Sequence, residues 1–261
     1  MKANYKNWVP KGMMLGFGTG FLVALLLGFI CNGMMQAGTI KTVLCTIIGI
    51  AAAVLFIVTI ELSFMHKTFS YNGKRHLSKD IVEGIAEYVT IPDGGVGLDI
   101  GCGSGALTIA VAKRNPNAKM IGIDRWGKEY ASFNKSLCEN NATAEGVNNV
   151  EFSQGDALKL DFQDEMFDAV TSNYVYHNIV GADKQDCLRE TFRVLKKGGV
   201  FAIHDIMSKS KYGDMNAFAK ELREAGYEKV ELIDTTTGMF MSKTEAIFTQ
   251  LNNSMLLVGR K

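Results

Sequence analysis

The chain has 261 residues, 47% apolar and 21% charged, which suits one full-sized domain plus something smaller and excludes a disordered or collagen-like protein. The net charge of +1 combines unlike parts: residues 1–66 hold four lysines against one acid, and residues 67–261 hold 24 basic against 26 acidic side chains. So weakly acidic a larger part excludes a broad basic footprint for nucleic acid. Five cysteines, at 31, 45, 102, 138 and 187, form neither a CxxC nor any Cys/His ligand spacing. Reduced thiols in a reducing compartment are expected, with no disulfide framework and no metal site.

No charged residue occurs from Gly12 to Ile40, or again from Thr42 to Ile60. Crossing about 30 Å of hydrocarbon takes roughly 20 apolar residues in a helix. Met13–Cys31 and Val43–Phe64 each reach that length, with a weakly polar turn between them. A signal peptide would have a shorter apolar run and no second span directly after it. Two buried soluble helices are an alternative, although neither run shows a polar face, and one long re-entrant hairpin is a third. The sequence therefore predicts a two-helix transmembrane hairpin over residues 1–66. Lys2, Lys6 and Lys11 precede it and Lys67, Lys74 and Arg75 follow it, whereas the connecting turn carries only Lys41. By the positive-inside rule both termini, and the whole of residues 67–261, face the cytoplasm. Gly12, Gly16, Gly20, Ala24 and Gly28 form a small-residue stripe on the first span. Such a stripe suits packing of the two spans on each other, or a homodimer seam.

After a polar tether, Ser78 reads as the cap of a helix running to about Val89, which Pro92, Asp93, Gly94 and Gly95 end. Strand-like runs then fall at Val96–Ile100, Met120–Ile123, Val150–Ser153, Ala169–Ser172 and Val200–His204. Helix-like runs fall at Ala106–Lys113, Lys128–Glu145, Asp183–Leu195 and Met215–Ala225, and late strands near Val230–Asp234 and Met255–Gly259. Strands alternating with helices predict an α/β fold, a Rossmann-like, doubly wound and mainly parallel sheet over residues 67–261.

Ligands of such sheets bind beyond the C-terminal strand ends. The first strand ends in Asp99-Ile-Gly101-Cys102-Gly103-Ser-Gly105, three glycines at alternate positions ahead of a helix. They permit a tight turn and a close approach of backbone to ligand. Gly101, Gly103 and Ala106 also satisfy a dinucleotide fingerprint, and Asp124 at the end of the second strand suits a ribose diol in either case. To this point a nicotinamide oxidoreductase and a nucleoside-cofactor enzyme are equal readings.

Three further features separate them: Asp99 two residues before the first glycine, Gly155-Asp156-Ala157 after the third strand, and Arg193-Val-Leu-Lys-Lys-Gly198-Gly199 leading into the fifth. Together these resemble the class I S-adenosylmethionine-dependent methyltransferases, particularly the small-molecule branch that includes ubiquinone and menaquinone C-methyltransferases. The resemblance covers residues 76–205, about half the chain. It implies S-adenosylmethionine as cofactor, with the Gly101–Gly105 loop, Cys102 included, beneath its methionine portion and Asp99 near its amino group. It further implies Asp124 on the ribose, Arg125 or Trp126 against the adenine, Asp156 and Ala157 at the adenine edge, and Asn173 on the methionine side. The acceptor it implies is a small or lipid-like molecule. A catalytically idle cofactor-binding sensor is a second reading of the same residues.

Displacement at a sulfonium methyl needs little beyond orientation and desolvation, and a general base only where the acceptor loses a proton as it attacks. Ser172-Asn-Tyr174-Val-Tyr176-His177-Asn, past the fourth strand, is where that base belongs, and it lacks the prolines of enzymes acting on nucleobase or amide nitrogen. His177, Tyr176 and His204 are the candidate catalytic side chains, with Tyr174 and Tyr176 also suited to shaping the pocket. The Thr235–Lys243 run (TTTGMFMSK) suits either a hydrophobic acceptor or ordinary packing.

Overall fold

The computed structural model describes residues 2–127 and 132–261. The chain divides into two compact units: residues up to Lys6 together with Leu77–Lys261, and Asn7–His76. The boundary expected at residues 66/67 falls inside a helix that continues to Thr68.

The smaller unit is a helical hairpin of α1 (Lys11–Met34) and α2 (Thr39–Thr68). Both are long and apolar enough to cross a bilayer, with mean hydropathies of 2.2 and 2.9, and almost none of that apolar surface is buried. Part of the small-residue stripe faces α2: Ala24 is buried, and a methyl group at Gly20 or Gly28 would lie against Leu55 or Ile48. Gly12 and Gly16 face open space. At the turn, Lys41 Nζ donates to the Asn32 carbonyl. At the other end, Asn7 Nδ2 donates to the His66 carbonyl and His66 Nδ1 lies 2.7 Å from the Val9 carbonyl.

The larger unit opens with α3 (Leu77–Ala86), whose Leu77, Ile81 and Ile85 are fully buried. Ser78 lies within its first turn, where the sequence reading placed a cap. The sheet strands are β1 (Val96–Ile100), β2 (Lys119–Asp124), β3 (Val150–Gln154), β4 (Phe167–Asn173), β5 (Leu195–Ile206), β6 (Glu228–Asp234) and β7 (Ser254–Arg260). Between them lie α4 (Ala106–Arg114), α5 (Lys135–Ala144), α6 (Lys184–Arg193), α7 (Lys209–Tyr212), α8 (Met215–Glu224) and α9 (Lys243–Phe248). The order is β3-β2-β1-β4-β5-β7-β6, with β3 to β5 parallel neighbours and β7 antiparallel to both β5 and β6. Consecutive strands β1, β2 and β3 run one way from β1 and β4 starts the other way, so the switch in order lies between β1 and β4. Ligands bind in the crevice at such a switch.

Two boundaries differ from the sequence pattern. The helix expected through Leu195 stops at Arg193, because the carbonyls of Arg193 and Val194 accept from Glu165, Met166 and Phe167. Leu195 then starts β5, and the register shift opposite Phe167 and Ala169 accommodates Gly198 at φ +78°. The helix expected from Lys128 begins at Lys135, capped by Asn134 Oδ1 accepting from the Leu137 amide; residues 128–131 lie outside those described.

Candidate active site

The glycine loop follows from how β1 ends. The amides of Gly101 and Cys102 both donate to the Ile123 carbonyl, which turns the chain sharply back over β2. Gly101 has φ +74°, and a β-carbon there would sit 2.2 Å from Val175 Cγ2. Glycine is thus required twice, for its backbone angle and for the approach of the Val175 turn. Gly103 has φ +55° and open space where a side chain would stand. Gly105 caps α4 in the left-handed region. Cys102 is buried, and burial pushes its thiol well above the usual range, so it serves the loop as backbone and packing.

The carboxylates at the strand ends are held in different ways. Asp124 accepts from the Gly103 amide through Oδ2 (2.9 Å) and from the Trp126 amide through Oδ1 (2.7 Å). Each oxygen retains lone-pair capacity for a hydroxyl donor. Trp126, at φ +44°, donates its indole N–H to the Gly103 carbonyl at 3.1 Å and so lies along the loop. Arg125 is exposed. Asp156 is exposed and accepts from the Leu158 amide, and Ala157 beside it is half-buried.

Asp99 differs from these: it is buried, with Thr108 Oγ1 at 2.6 Å and Thr171 Oγ1 at 2.9 Å. Burial pushes its carboxyl up to about 7, against the two threonine hydrogen bonds. The folded chain therefore holds this proton more tightly than the unfolded one. That contribution to stability is full below the ordinary carboxyl value and is lost as pH rises through about 7. Between about pH 5 and pH 8 the thermal midpoint of the parent should fall relative to that of Asp99→Asn. Scanning calorimetry in detergent checks this, and parallel midpoints would contradict the assignment.

Beyond β4 and β5 the candidate base residues separate clearly. His177, in a 3-10 turn of Tyr176–Asn178, directs Nδ1 at Asp205 Oδ1, and its amide donates to Asp205 Oδ2 at 3.1 Å. Asp205 is fully buried and also accepts from the Tyr212 hydroxyl and the Ile206 amide, both at 2.7 Å. Burial pushes its carboxyl up, but the hydrogen bond and charge of His177 and the Tyr212 hydroxyl outweigh that and hold it below the usual range. An ionised carboxylate on Nδ1 fixes the proton there and leaves the Nε2 lone pair as the basic position. The orienting role of Asp205 and Tyr212 was not legible in the sequence, because Asp205 lies 28 residues from His177 and Tyr212 reaches it only through Asp205.

Two sequence candidates are corrected. Tyr176 is fully buried, its hydroxyl 2.6 Å from Thr191 Oγ1, and burial raises its ionisation far beyond the usual range. It is a core residue. His204 is fully buried, with Nδ1 against Asn173 Oδ1 (2.8 Å) and Nε2 against Thr235 Oγ1 (3.0 Å), and burial lowers its pKa to about 3. With both nitrogens engaged it holds β4, β5 and the end of β6 together and offers no free base. The same bond occupies the Asn173 carbonyl oxygen expected on the methionine side. Phe240 and Met241, from the run that suited acceptor or packing equally, are buried.

A family model described as a methyltransferase domain matches residues 91–252. The chain belongs to that family. Among curated proteins it is 32% identical over 162 residues to a demethylmenaquinone methyltransferase of Lactobacillus johnsonii, covering 58% of this chain and 64% of that one. It is 31% identical over 134 residues to a 2-phytyl-1,4-naphtoquinone methyltransferase of Thermosynechococcus vestitus, 51% of this chain and 54% of that one. A sterol 24-C-methyltransferase of Gibberella zeae is 32% identical over 53% of this chain and 35% of its own. The chain thus spans between about a third and two thirds of the length of these relatives. Among solved structures, a geranyl diphosphate methyltransferase in complex with GPP and sinefungin superposes with a TM-score of 0.55 at 13% identity, over 72% of this chain and 81% of that one. The cyclase SpnF gives 0.54 at 19% identity, over 73% and 84%. These two likenesses speak to the fold.

The cofactor of this class is S-adenosylmethionine, and the residues present fit it. Space is open at Gly103, where an added β-carbon would meet nothing within 4 Å, and the amide of Gly103 donates to the Asp124 carboxylate. Acidic side chains at three strand ends suit a ligand with a sulfonium and an ammonium group.

Proposed function

We propose that this chain is a membrane-anchored methyltransferase that carries a methyl group from S-adenosylmethionine to a lipid-soluble, quinone-like acceptor, with His177 as general base. The observation that carries the reading is His177 on the buried carboxylate of Asp205, backed by Tyr212. When bound, the cofactor supplies a methyl group made electrophilic by its sulfonium. The Gly101–Gly105 loop and Asp124 bind and orient the cofactor, with Trp126 and Asp156 flanking the adenine. Asp205 keeps the proton of His177 on Nδ1. Nε2 then takes the proton that an aromatic carbon or hydroxyl of the acceptor releases as it is methylated, and the hydrogen bond to Asp205 stabilises the imidazolium. Asp99, between Thr108 of α4 and Thr171 of β4, supports the loop from below and approaches the ammonium end.

The quinone-like acceptor is supported by the names of the two naphthoquinone-class relatives and by the hairpin, whose uncovered apolar flanks suit hydrocarbon. Such an acceptor partitions into the bilayer and is scarce in water, so an anchor keeps the enzyme where its substrate is. The flanking positive charges support a cytoplasmic position for both chain ends.

The test uses full-length protein in lipid nanodiscs. Calorimetry should show binding of S-adenosylmethionine and S-adenosylhomocysteine and none of NAD. Labelled methyl should then pass to a bilayer-resident demethylated naphthoquinol. Binding of NAD in preference would refute the cofactor assignment. Transfer only to water-soluble acceptors would refute the lipid-soluble one.

A further inference from the structure

The amino-terminal residues pack with the larger unit, although the hairpin stands between them and the rest of that unit in sequence. Their point of attachment is Asn141 on α5, which is 2% exposed. Its Oδ1 accepts from the Asn4 amide at 2.7 Å, and its Nδ2 donates to the Asn4 carbonyl at 3.2 Å. A side-chain amide thus pairs with one residue's backbone as a neighbouring strand would. The same Nδ2 also donates to the carbonyl of Ser104 at 2.9 Å. Ser104 is buried and lies between Gly103 and Gly105 in the cofactor loop. One residue therefore joins the amino-terminal segment to the loop. A second residue of α5, Cys138, reaches the Gly103 carbonyl at 3.2 Å, so α5 holds two successive carbonyls of that loop. Tyr5, next to Asn4, is buried.

We infer that residues 2–6 are a strap that positions the cofactor loop, with Asn141 as the positioning residue between them. The inference rests on the cofactor assignment above. Its physical content is preorganisation. The loop carries three glycines at positive φ, the conformation with the most freedom to lose on ordering. A carbonyl fixed at Ser104 keeps the neighbouring Gly103 amide aimed at Asp124 before the cofactor arrives. Without the strap, Asn141 loses two of its three partners, and its hold on Ser104 is no longer fixed by a second contact. Cofactor binding then has to order the loop itself, and affinity falls.

The experiment measures S-adenosylhomocysteine binding by calorimetry to the full chain in nanodiscs. Asn4→Pro removes the amide hydrogen that Asn141 Oδ1 accepts, Asn141→Ala removes the whole connection, and Lys220→Ala, exposed on α8, is the control. Both strap variants should weaken binding about tenfold, the effect of a lost hydrogen bond, while Lys220→Ala binds as the parent does. In steady state the KM for S-adenosylmethionine should rise with kcat at saturating cofactor retained; general loosening would lower kcat and the ligand-free thermal midpoint together. If Asn141→Ala fails to fold, Asn4→Pro decides. Binding by Asn4→Pro within twofold of the parent overturns the strap, and so does a loss confined to kcat. A parent chain that binds no S-adenosylhomocysteine refutes the cofactor assignment instead, so the two failures are distinct.

Discussion

Replacing His177 with glutamine should lower kcat by roughly two to four orders of magnitude, the usual worth of a positioned general base, and leave S-adenosylhomocysteine affinity unchanged. Glutamine keeps a polar side chain of similar reach but has no basic nitrogen. Asp205→Asn should be nearly as damaging for a different reason. An amide in place of the carboxylate can donate to Nδ1, which moves the ring proton to Nε2 and abolishes the lone pair the acceptor needs. Tyr212→Phe removes one of four hydrogen bonds to Asp205 and should cost far less. Single-turnover methyl transfer to a naphthoquinol, with binding measured in parallel, separates chemistry from affinity. A His177→Gln enzyme within twofold of the parent would mean that the acceptor attacks unassisted.

Alanine at Gly101 and alanine at Gly103 should fail in opposite ways. At Gly101 the new β-carbon meets Val175 at 2.2 Å with the backbone at φ +74°. Overpacking of this kind and a left-handed non-glycine residue together cost about 2–4 kcal/mol. The thermal midpoint should fall, and the Val175 turn that leads into His177 should shift. At Gly103 nothing stands within 4 Å of the new carbon, so only the backbone cost of about 1 kcal/mol applies and the fold survives. The methyl group instead projects into the space assigned to the cofactor, where crowding should cost roughly ten- to a hundredfold in affinity. Calorimetry and thermal unfolding on both variants test this. A Gly103→Ala chain that binds S-adenosylhomocysteine normally would move the cofactor away from this loop.

The parts of this architecture that were legible in the sequence are local ones. The glycine triplet, the carboxylate at the end of β2 and the alternation of apolar runs each lie within a dozen residues, and the structure places the glycine loop against Asp124. The base was legible only in part. His204 was read as a candidate base, and Asp205 is its neighbour in β5. Successive residues of a strand point to opposite faces, and that separates them here. His204 turns to Asn173 and Thr235, and Asp205 turns to His177 and Tyr212. No spacing rule connects His204 with Asn173 or Asp205 with His177, because the parallel pairing of β4 with β5 brings those segments together. Tyr176 misled for a related reason: its place beside His177 put it in the candidate set, while the 3-10 turn carries its side chain into the core. The strap was illegible altogether, since nothing in residues 2–6 announces a partner at position 141.

The placement of residues up to Lys6 with Leu77–Lys261 also changes what kind of object the hairpin is. In sequence it occupies Asn7–His76, between two stretches that cluster as one unit. Cutting the chain at Lys67 would discard the residues that pack with the larger unit along with the hairpin. The faithful water-soluble derivative is a splice that excises residues 7–76 and rejoins Lys6 to Leu77 through a flexible glycine-serine linker. That design keeps Asn4 with Asn141, so any activity it loses on a bilayer-resident acceptor is attributable to the missing hairpin and not to a slackened cofactor loop.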